Sequence, residues 1–388
     1  MHFMKLPISD PVALEHSNKL TKFIRQEMSR ENDILNFERF MELALYAPGL
    51  GYYSAGQHKL GEFGDFLTAP HISPLFAKSI ARQFQQILLE IPDGDILELG
   101  AGTGLFAKDL LLELEKLNIL PKQYFILEVS ADLRERQKKL LVESIPHLIH
   151  RIQWLDALPS HKINGIIFAN EVLDALPVRL FHINEQGINE RCVTWRNNQF
   201  AWQFIPADFD FKQKIQPLLQ NISKIPYESE LNVRLFAWVQ SILSVLNAGI
   251  ILLLDYGYTR AEYYHPDRQM GTLMCFLQHK KHDNPLDLVG LQDITAHVDF
   301  TRVIESVSLD ECSLAGFTTQ ADFLLSCGLL SIAEKEISSP LSQYKQAEAI
   351  KKLIFPGEMG ELIKVMALSK QVSVPLVGFQ FKDRRHEL

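Results

Sequence analysis

Three glycines recur at every second position in one short stretch of the sequence. They are Gly100, Gly102 and Gly104. An apolar run over 96–99 precedes them and predicts a buried strand, and a helix is predicted from about Leu105. Glycine permits positive φ and lets backbone N–H groups come close to a ligand. The N-terminus of the following helix adds oriented donors and partial positive charge, so the stretch predicts a small-molecule site.

The spacing of these glycines separates two classes of ligand. A dinucleotide site needs G-x-G-x-x-G, and its third glycine would fall where the chain has Leu105. Glu98, at the end of the predicted strand, would repel a pyrophosphate but suits a ligand with an ammonium group. S-adenosylmethionine carries an ammonium and a sulfonium and no phosphate, so the spacing favours a methyl-donor site. A nucleotide site and a tight turn that binds nothing are the alternatives.

Two further acids end the next two predicted strands. Glu128 closes a strand predicted over 124–129, where a carboxylate suits bidentate hydrogen bonding to ribose hydroxyls. Its alternative role is a solvated acid before a helix. Asp156 ends a short strand that begins at Ile152 and could accept a hydrogen bond from an adenine amino group, or it could be an ordinary turn residue.

Polar side chains follow an entirely apolar run over 166–169, which is typical of a central parallel strand. They are Asn170, Glu171 and Asp174. Ligands of open α/β sheets bind at the carboxyl ends of the strands. Two carboxylates and an amide cannot all be buried there without a partner, and a cationic or amide-bearing substrate would supply one. We expect Asn170 on the donor side, and the alternative for the acids is a cluster stabilised by a helix N-terminus.

A second group of candidates comes late in the chain. Asp255 ends a predicted buried strand over 249–254, and an irregular region over 258–300 follows it. Long connections within compact domains tend to be functional. Near the end of this region, His297 and Asp299 could form a base and its orienting carboxylate, or Asp299 could cap a helix.

The segment between two predicted N-terminal helices combines glycine, aromatic and hydroxyl residues with one carboxylate. Its candidate site residues are Tyr52, Asp65 and Thr68. We interpret it as a cap over the small-molecule pocket, with Thr68 on the donor side. A packed surface loop with structural aromatics is the alternative.

Composition limits the function further. The 388 residues carry a net charge of −8, which argues against broad nucleic-acid binding, and 47% of them are hydrophobic. Four scattered cysteines form no C-x-x-C pair, and His279 with His282 have no further ligands nearby, so no metal is predicted. No apolar run approaches the ~20 residues that span a bilayer. With no targeting segment apparent, we expect a bacterial cytoplasm, or a mitochondrial matrix if the source is eukaryotic.

Element order completes the prediction of fold. Helices are predicted over 13–30, 37–46, 74–89, 131–143 and 231–246. Antiparallel strands over 179–183, 190–195 and 200–205 interrupt the alternation of strand and helix. The predicted fold class is α/β, a Rossmann-like seven-stranded sheet with an N-terminal helical cap and an inserted antiparallel β meander. The predicted segments are a cap over 1–90, a first half of the core over 91–178, the insertion over 179–247, and a second half over 248–388.

Together these motifs resemble the MidA-like class I methyltransferases from about Phe37 to Ser369. The glycine turn is generic to methyltransferases, whereas the Asn170–Pro177 loop and the Asp293–Phe300 stretch are specific. The other motifs on which the resemblance rests are Phe40-Met41, Ala44-Leu45-Tyr46, Gly51-Tyr52-Tyr53, Gly64-Asp65-Phe66, Thr68, Pro70 and Asp255-Tyr256-Gly257. Mitochondrial members of this family are arginine methyltransferases that act in respiratory complex I assembly.

The resemblance implies that the predicted sheet is a class I methyltransferase sheet. It also implies S-adenosylmethionine as donor and arginine of a protein as acceptor. Glu171 and Asp174 are then the candidate clamp for a guanidinium, and His297 is a candidate proton acceptor. Asp255 and Asp299 are expected on the substrate side. A non-catalytic donor-binding assembly factor or scaffold for a respiratory-type complex is the alternative function. The meander leaves open whether the chain forms a homodimer.

Overall fold

The computed structural model describes residues 10–55, 68–278, 280–308, 311–337 and 339–388. The chain divides into two compact units. The first unit consists of residues 1–59, 176–233 and 264–296, and the second consists of residues 60–175, 234–263 and 297–388. The chain therefore enters the first unit three times.

The helices and strands of the described residues are as follows. The helices are α1 (Pro11–Met28), α2 (Phe37–Tyr46), α3 (Ala69–Ile72), α4 (Pro74–Glu90), α5 (Leu105–Lys116), α6 (Ala131–Ser144), α7 (Phe209–Ile215), α8 (Leu235–Val245), α9 (Arg260–Tyr263), α10 (Phe300–Glu305), α11 (Gln320–Ser326), α12 (Leu329–Lys335), α13 (Pro340–Ile354) and α14 (Met359–Leu362). The strands are β1 (Ile34–Leu35), β2 (Asp95–Leu99), β3 (Tyr124–Leu127), β4 (Ile152–Leu155), β5 (Ile163–Asn170), β6 (Arg179–Asn184), β7 (Gly187–Arg196), β8 (Gln199–Pro206), β9 (Tyr227–Leu231), β10 (Leu246–Tyr258), β11 (Met274–Leu277), β12 (Lys280–His282), β13 (Asp293–Thr295), β14 (Val298–Asp299), β15 (Ser313–Thr319) and β16 (Ile363–Lys370).

The second unit is built on a mixed sheet in the order β15-β16-β10-β5-β2-β3-β4. Strands β10, β5, β2, β3 and β4 run parallel to one another, and β16 is antiparallel to both β10 and β15. The path holds seven strands, and β14 adds a short eighth beside the end of β10, so the described sheet has eight strands where seven are predicted. A two-residue strand carries no periodicity that a sequence could reveal.

Register brings the carboxyl ends of the central strands to one edge of this sheet. Leu99, the last residue of β2, pairs with Leu127 of β3 and with Ala169 of β5. On the other side of β5, Asn170 pairs with Leu254 of β10. The residues that follow β2, β3 and β5 therefore leave the sheet side by side, where open α/β sheets bind their ligands.

An apolar core fixes these strands. Residues 166–169 of β5 are fully buried, as a strand covered on both faces requires. Aromatic side chains of α4 and α5 cover one face of β5. Phe106 stacks on Phe168 with ring centroids 4.4 Å apart, and Phe84 meets the same ring edge-on at 5.6 Å. The helix that follows the glycine turn is thus held firmly against the sheet.

The first unit contains the predicted meander. Strands β6, β7 and β8 pair antiparallel in succession, and β1 and β9 extend the sheet. Asn197 and Asn198 connect β7 to β8 with φ of 52° and 61°, the positive values that a tight two-residue hairpin turn demands. Buried residues of α1 and α2, including Leu20 and Phe40, join residues of the meander in one core.

Two stretches differ from the sequence prediction. The helix predicted from Leu231 begins at Leu235, because 227–231 forms β9 and pairs with β6. The region predicted as irregular contains the antiparallel strands β11, β12 and β13. Their lengths of three or four residues are too short for alternation to stand out.

All four cysteines are buried as free thiols. Burial raises the pKa of Cys312 to about 11, so this thiol stays protonated at neutral pH. No helix in the described parts of the chain combines the length and the apolar composition that crossing a membrane would require.

Candidate functional site

The glycine turn adopts a backbone that other residues resist. Gly100, Gly102 and Gly104 have φ of 65°, 55° and 84°, all in the left-handed region. A Cβ on Gly100 would lie 2.9 Å from Cγ2 of Val172, closer than carbon atoms tolerate. The glycines therefore meet both a conformational and a steric demand, and they leave the start of α5 uncovered by side chains of their own.

Glu98 lies beneath this turn as a buried carboxyl group. The hydroxyl of Tyr124 donates a hydrogen bond to its Oε2 at 2.7 Å. Burial raises the pKa of Glu98 to about 8, a rise that the nearby charge of Glu128 reinforces and the bond from Tyr124 opposes. In the ligand-free protein Glu98 is thus largely neutral at pH 7, and an approaching ammonium group would favour its ionisation.

Glu128 follows β3 and is also buried. Its Oε1 accepts from the backbone N–H of Ser130 at 2.9 Å, and its Oε2 accepts from Nε2 of Gln137 at 3.1 Å. Burial raises the pKa of Glu128, while hydrogen bonds from Gln137 and from the backbone of Ser130 and Gly102 oppose the rise. Backbone N–H groups of Val129 and Gly102 are also directed at it, so the carboxylate is held by donors from its own loop, from α6 and from the glycine turn.

Asp156 lies after β4 in a different environment. Its side chain is 89% exposed and forms an ion pair with Arg134 on α6. Its position after the third parallel strand, β4, is the predicted one, whereas its exposure differs from the burial of Glu98 and Glu128. Its assignment to an adenine amino group stays a prediction.

Thr68 is connected to the glycine turn through a histidine. Its Oγ1 lies 2.8 Å from Nδ1 of His71, and Nε2 of the same ring lies 3.0 Å from Oγ1 of Thr103, between the second and third glycines. Burial lowers the pKa of His71, which keeps the ring neutral at pH 7. The two threonine hydroxyls are thus bridged by a neutral imidazole.

The loop after β5 has an unusual backbone. Glu171 has φ of 53°, a left-handed conformation that is uncommon for a residue other than glycine. Its backbone N–H donates to the carbonyl of Leu254 at 2.8 Å, and its Oε1 accepts from Nδ2 of Asn170 at 3.0 Å. Strained backbone of this kind concentrates at functional sites.

Asp255 holds the same loop from the neighbouring strand. Its Oδ2 accepts from the backbone N–H groups of Val172, Leu173 and Asp174 at 3.0, 2.7 and 3.3 Å. Burial raises the pKa of Asp255 to about 7, although these backbone hydrogen bonds oppose the rise. Asp174, the second acid of the predicted clamp, is itself buried. Asp255 therefore supports the loop that carries the clamp.

Aromatic side chains lie beside these acids. The ring of His297 stacks on Tyr258 with centroids 5.2 Å apart and an interplanar angle of 9°, and Tyr256 lies 5.9 Å from the same ring. Burial raises the pKa of Tyr256, and the charges of Glu171, Asp174 and Asp255 raise it further. Tyr256 thus connects the acids to His297.

Asp299 has the helix-cap role that the sequence offered as an alternative. Its Oδ1 accepts from the backbone N–H of Arg302 at 3.0 Å at the start of α10, and its Oδ2 lies 3.5 Å from Nε of Arg260. An orienting role toward His297 stays a prediction.

The two remaining candidates belong to the segment predicted as a cap. Tyr52, in the first unit, is buried and meets Tyr53 edge-on at 5.1 Å. The hydroxyl of Tyr53 in turn contacts both carboxylate oxygens of Asp293 at 3.0 Å. Asp65 lies outside the described residues.

The residues at the ends of β2 and β3 fit S-adenosylmethionine. The glycine turn leads into the N-terminus of α5, which has no side-chain cap, and a buried acid follows the neighbouring strand. The sequence model of one protein family, described as "Putative S-adenosyl-L-methionine-dependent methyltransferase", matches residues 75–318. The chain belongs to this family of methyltransferases. The match confirms the resemblance to MidA-like enzymes and S-adenosylmethionine as the cofactor.

Solved structures and curated relatives agree with this assignment. A "likely methyl transferase" from Burkholderia thailandensis, bound to S-adenosyl-homocysteine, is 38% identical with a TM-score of 0.94, over 99% of this chain and 100% of that one. The mitochondrial protein arginine methyltransferase NDUFAF7 of Danio rerio is 26% identical over 89% of this chain and 88% of its own. Its homolog in Caenorhabditis elegans is 25% identical over 91% of this chain and 87% of its own.

Sequence reasoning missed Gln137 and His71, both of which contact the glycine turn. Most polar residues of α6 suggest a side chain that faces solvent. The signal for a buried Gln137 was its spacing of four residues from both Leu133 and Leu141, which lie on the buried face of the helix. His71 follows Thr68 by one helical turn, and this spacing was the available signal.

Proposed function

We propose that this S-adenosylmethionine-dependent methyltransferase transfers the methyl group to a guanidinium nitrogen of an arginine in a protein. The observation that carries the proposal is the group of acids after β5 and β10. Glu171, Asp174 and Asp255 are all close enough to Tyr256 for their charges to raise its pKa. A cationic acceptor would relieve the cost of placing three carboxyl groups together.

The acids would make an arginine side chain a better methyl acceptor. A guanidinium is always protonated in water and is therefore a poor nucleophile. Two carboxylates can bind it bidentately and draw positive charge away from the attacking nitrogen. When bound, S-adenosylmethionine supplies a methyl group attached to a positively charged sulfur. Glu171 and Asp174 would hold the guanidinium in line with that methyl group, which is where most of the rate enhancement is expected.

Proton balance assigns a role to His297. When the nitrogen forms its bond to carbon, the bond from that carbon to sulfur breaks and the nitrogen loses a proton. The ring of His297 stacks on Tyr258 near the acids, so its orientation is held by packing. We assign the departing proton to this imidazole.

The donor side is assigned mainly to the strands that precede β5 in the chain. Glu98, the three glycines and Asn170 would hold the methionine part of the donor, Glu128 the ribose and Asp156 the adenine, with Thr68 acting beside the glycine turn through His71. The relatives named as protein arginine methyltransferases support the acceptor class. Their names also include "mitochondrial", while the location of this chain in a bacterial cytoplasm or a mitochondrial matrix stays a prediction. The cap with Tyr52 and Asp65, the four predicted segments and a homodimer stay predictions as well.

One labelling experiment tests the acceptor. The full chain is incubated with S-adenosylmethionine labelled in its methyl group and with an extract of the source cells, and labelled products are identified by mass spectrometry. We expect label on arginine side chains of a protein, absent from a reaction with the Glu171→Gln variant. Label confined to small molecules, nucleic acid or lysine would overturn the arginine proposal while leaving the methyltransferase assignment intact.

A further inference from the structure

Gln137 is a fully buried polar residue with a defined set of partners on three other segments. Its Nε2 donates to the carbonyl of Gly102 at 2.9 Å and to Oε2 of Glu128 at 3.1 Å. Its Oε1 accepts from the indole N–H of Trp154 at 3.0 Å. Its side chain is 0% exposed. One amide on α6 thus joins the glycine turn after β2, the acid after β3 and an indole on β4.

The partners fix the orientation of this amide. An indole N–H can only donate, so the atom facing Trp154 must be the amide oxygen. The carbonyl of Gly102 and the carboxylate of Glu128 can accept, which agrees with both hydrogens of Nε2 being directed at them. Among side chains of this length, only glutamine supplies two donors and one acceptor in this arrangement. A glutamate would oppose two acceptors with negative charge, and a methionine would leave all three partners without their bond.

We propose that Gln137 is a positioning residue for the methyl donor. It sets the distance between the glycine turn and Glu128, and it holds the Glu128 carboxylate in place after β3, the position assigned to the ribose. This inference rests on the proposed assignment of Glu128 to the ribose. Gln137 does not touch the reacting atoms, and its effect on the donor passes through Glu128 and Gly102.

Packing alone would give a different result from positioning. A Cβ on Gly104 would lie 3.3 Å from Cγ of Gln137, so the side chain also fills space beside the turn. A space-filling residue contributes to stability, and its replacement by a side chain of similar volume would leave donor affinity unchanged. A positioning residue contributes to donor affinity through its partner, and that contribution disappears once the partner is changed.

The test is a double-mutant cycle on ligand affinity. We would measure the Kd of S-adenosylhomocysteine by calorimetry for the wild type, Gln137→Met, Glu128→Gln and the double variant. Each single variant is expected to bind about tenfold more weakly, and the double variant about as weakly as the worse single one, because both changes remove the same interaction. Lys138→Met, a neighbouring position on the same helix whose side chain is 44% exposed, is the matched control and should retain the wild-type Kd.

The results distinguish a failure of the role of Gln137 from a failure of the ribose assignment of Glu128. Suppose that Glu128→Gln weakens binding. If Gln137→Met then leaves the Kd unchanged, or if the losses of the two single variants add up in the double variant, the role of Gln137 is overturned and the ribose assignment stands. Normal binding by Glu128→Gln would overturn both the ribose assignment and the inference built on it. Should Gln137→Met fail to fold, Trp154→Phe removes only the N–H that orients the amide and is expected to weaken binding about threefold, whereas unchanged binding would contradict the proposal.

Discussion

Oδ2 of Asp255 lies 2.7 Å from the backbone nitrogen of Leu173, a residue 82 positions earlier in the sequence. The bond joins the end of β10 to the loop after β5, and the same oxygen also serves the backbone of Val172 and Asp174. Asp255 therefore acts on this loop as an N-cap acts on a helix, by satisfying several backbone donors with one acceptor. The loop carries the acids that we assign to the acceptor.

Replacing Asp255 by Ala should separate donor binding from methyl transfer. The loop would lose the acceptor for three N–H groups, and each unsatisfied buried donor costs about 1–3 kcal/mol unless the loop rearranges. We expect kcat to fall at least about tenfold, with the Kd of S-adenosylhomocysteine within about twofold of wild type. Asp267→Ala, at an exposed ion pair with Lys224, is the control and should change neither quantity. Full turnover by Asp255→Ala would contradict the supporting role.

Glu171→Gln should abolish most of the activity without affecting the donor. The amide keeps the size of the side chain but loses the charge that binds and polarises a guanidinium. We expect kcat to fall by about 10²-fold or more, with calorimetry giving a normal Kd for S-adenosylhomocysteine. Glu185→Gln, an exposed position on a turn, serves as control. Wild-type turnover together with normal donor affinity would remove Glu171 from the clamp.

The left-handed backbone at Glu171 predicts that a glycine variant is more stable than the wild type. Glycine adopts φ of 53° without steric cost, so Glu171→Gly should raise thermal stability by up to about 1 kcal/mol. The same variant lacks the carboxylate and should be as inactive as the glutamine variant. A thermal scan and a turnover assay on one preparation would detect this combination, and a less stable Glu171→Gly protein would argue against strain at this position.

Glu98 should make the stability of the ligand-free protein fall as the pH rises. Its pKa is raised from 4.5 to about 8 on folding, so the folded state binds the proton more tightly than the unfolded state between these values. The stabilisation by this proton is complete below about pH 4.5 and is lost as the pH passes 8, at up to about 1.4 kcal/mol per pH unit. In Glu98→Gln this contribution should vanish.

The measurement compares thermal unfolding of wild type and Glu98→Gln from pH 5 to pH 9. We expect the melting temperature of the variant to rise relative to wild type as the pH increases. Tyr124→Phe removes the hydrogen bond that favours the ionised form, so it raises the pKa of Glu98 further and should extend the decline in stability to higher pH than in the wild type. Parallel curves for wild type and Glu98→Gln would show that Glu98 is ionised in the folded protein.

His297 should affect the dependence of turnover on pH. A proton acceptor must be neutral to act, so kcat of the wild type is expected to rise with pH as the imidazole loses its proton. In His297→Gln we expect a kcat at least about tenfold lower that no longer shows this rise. Tyr258→Leu, which removes the stacked ring, should lower kcat while leaving the rise in place. A pH profile of His297→Gln that matches the wild type would exclude the imidazole as the base.

Much of the donor side could be predicted from sequence because it is encoded locally. The glycine spacing, the apolar run before it and the acid at 98 are adjacent in the chain and carry their meaning without tertiary information. The meander was also predictable, since alternation and turn residues are local signals. Its two-residue turn at Asn197 and Asn198 has the positive φ values that such residues favour.

Other features depend on contacts that no local pattern contains. The role of Asp255 rests on residues more than 80 positions away. Gln137 resembles any polar helical residue until the glycine turn and Trp154 are brought beside it. The exposure of Asp156, in contrast to the burial of Glu98 and Glu128, likewise reflects the position of β4 at the edge of the sheet.

The strand order of the second unit has a consequence for how this enzyme can diverge. Most residues assigned to the donor lie at or after the ends of β2, β3 and β4, whereas most of those assigned to the acceptor follow β5 and β10. Since the two groups lie largely on different strands, mutations after β5 and β10 can alter acceptor choice while most of the donor half keeps its sequence. Directed evolution toward new acceptors would then begin with libraries at 172–176 and 256–258, with Glu98, Glu128 and Gln137 left unchanged.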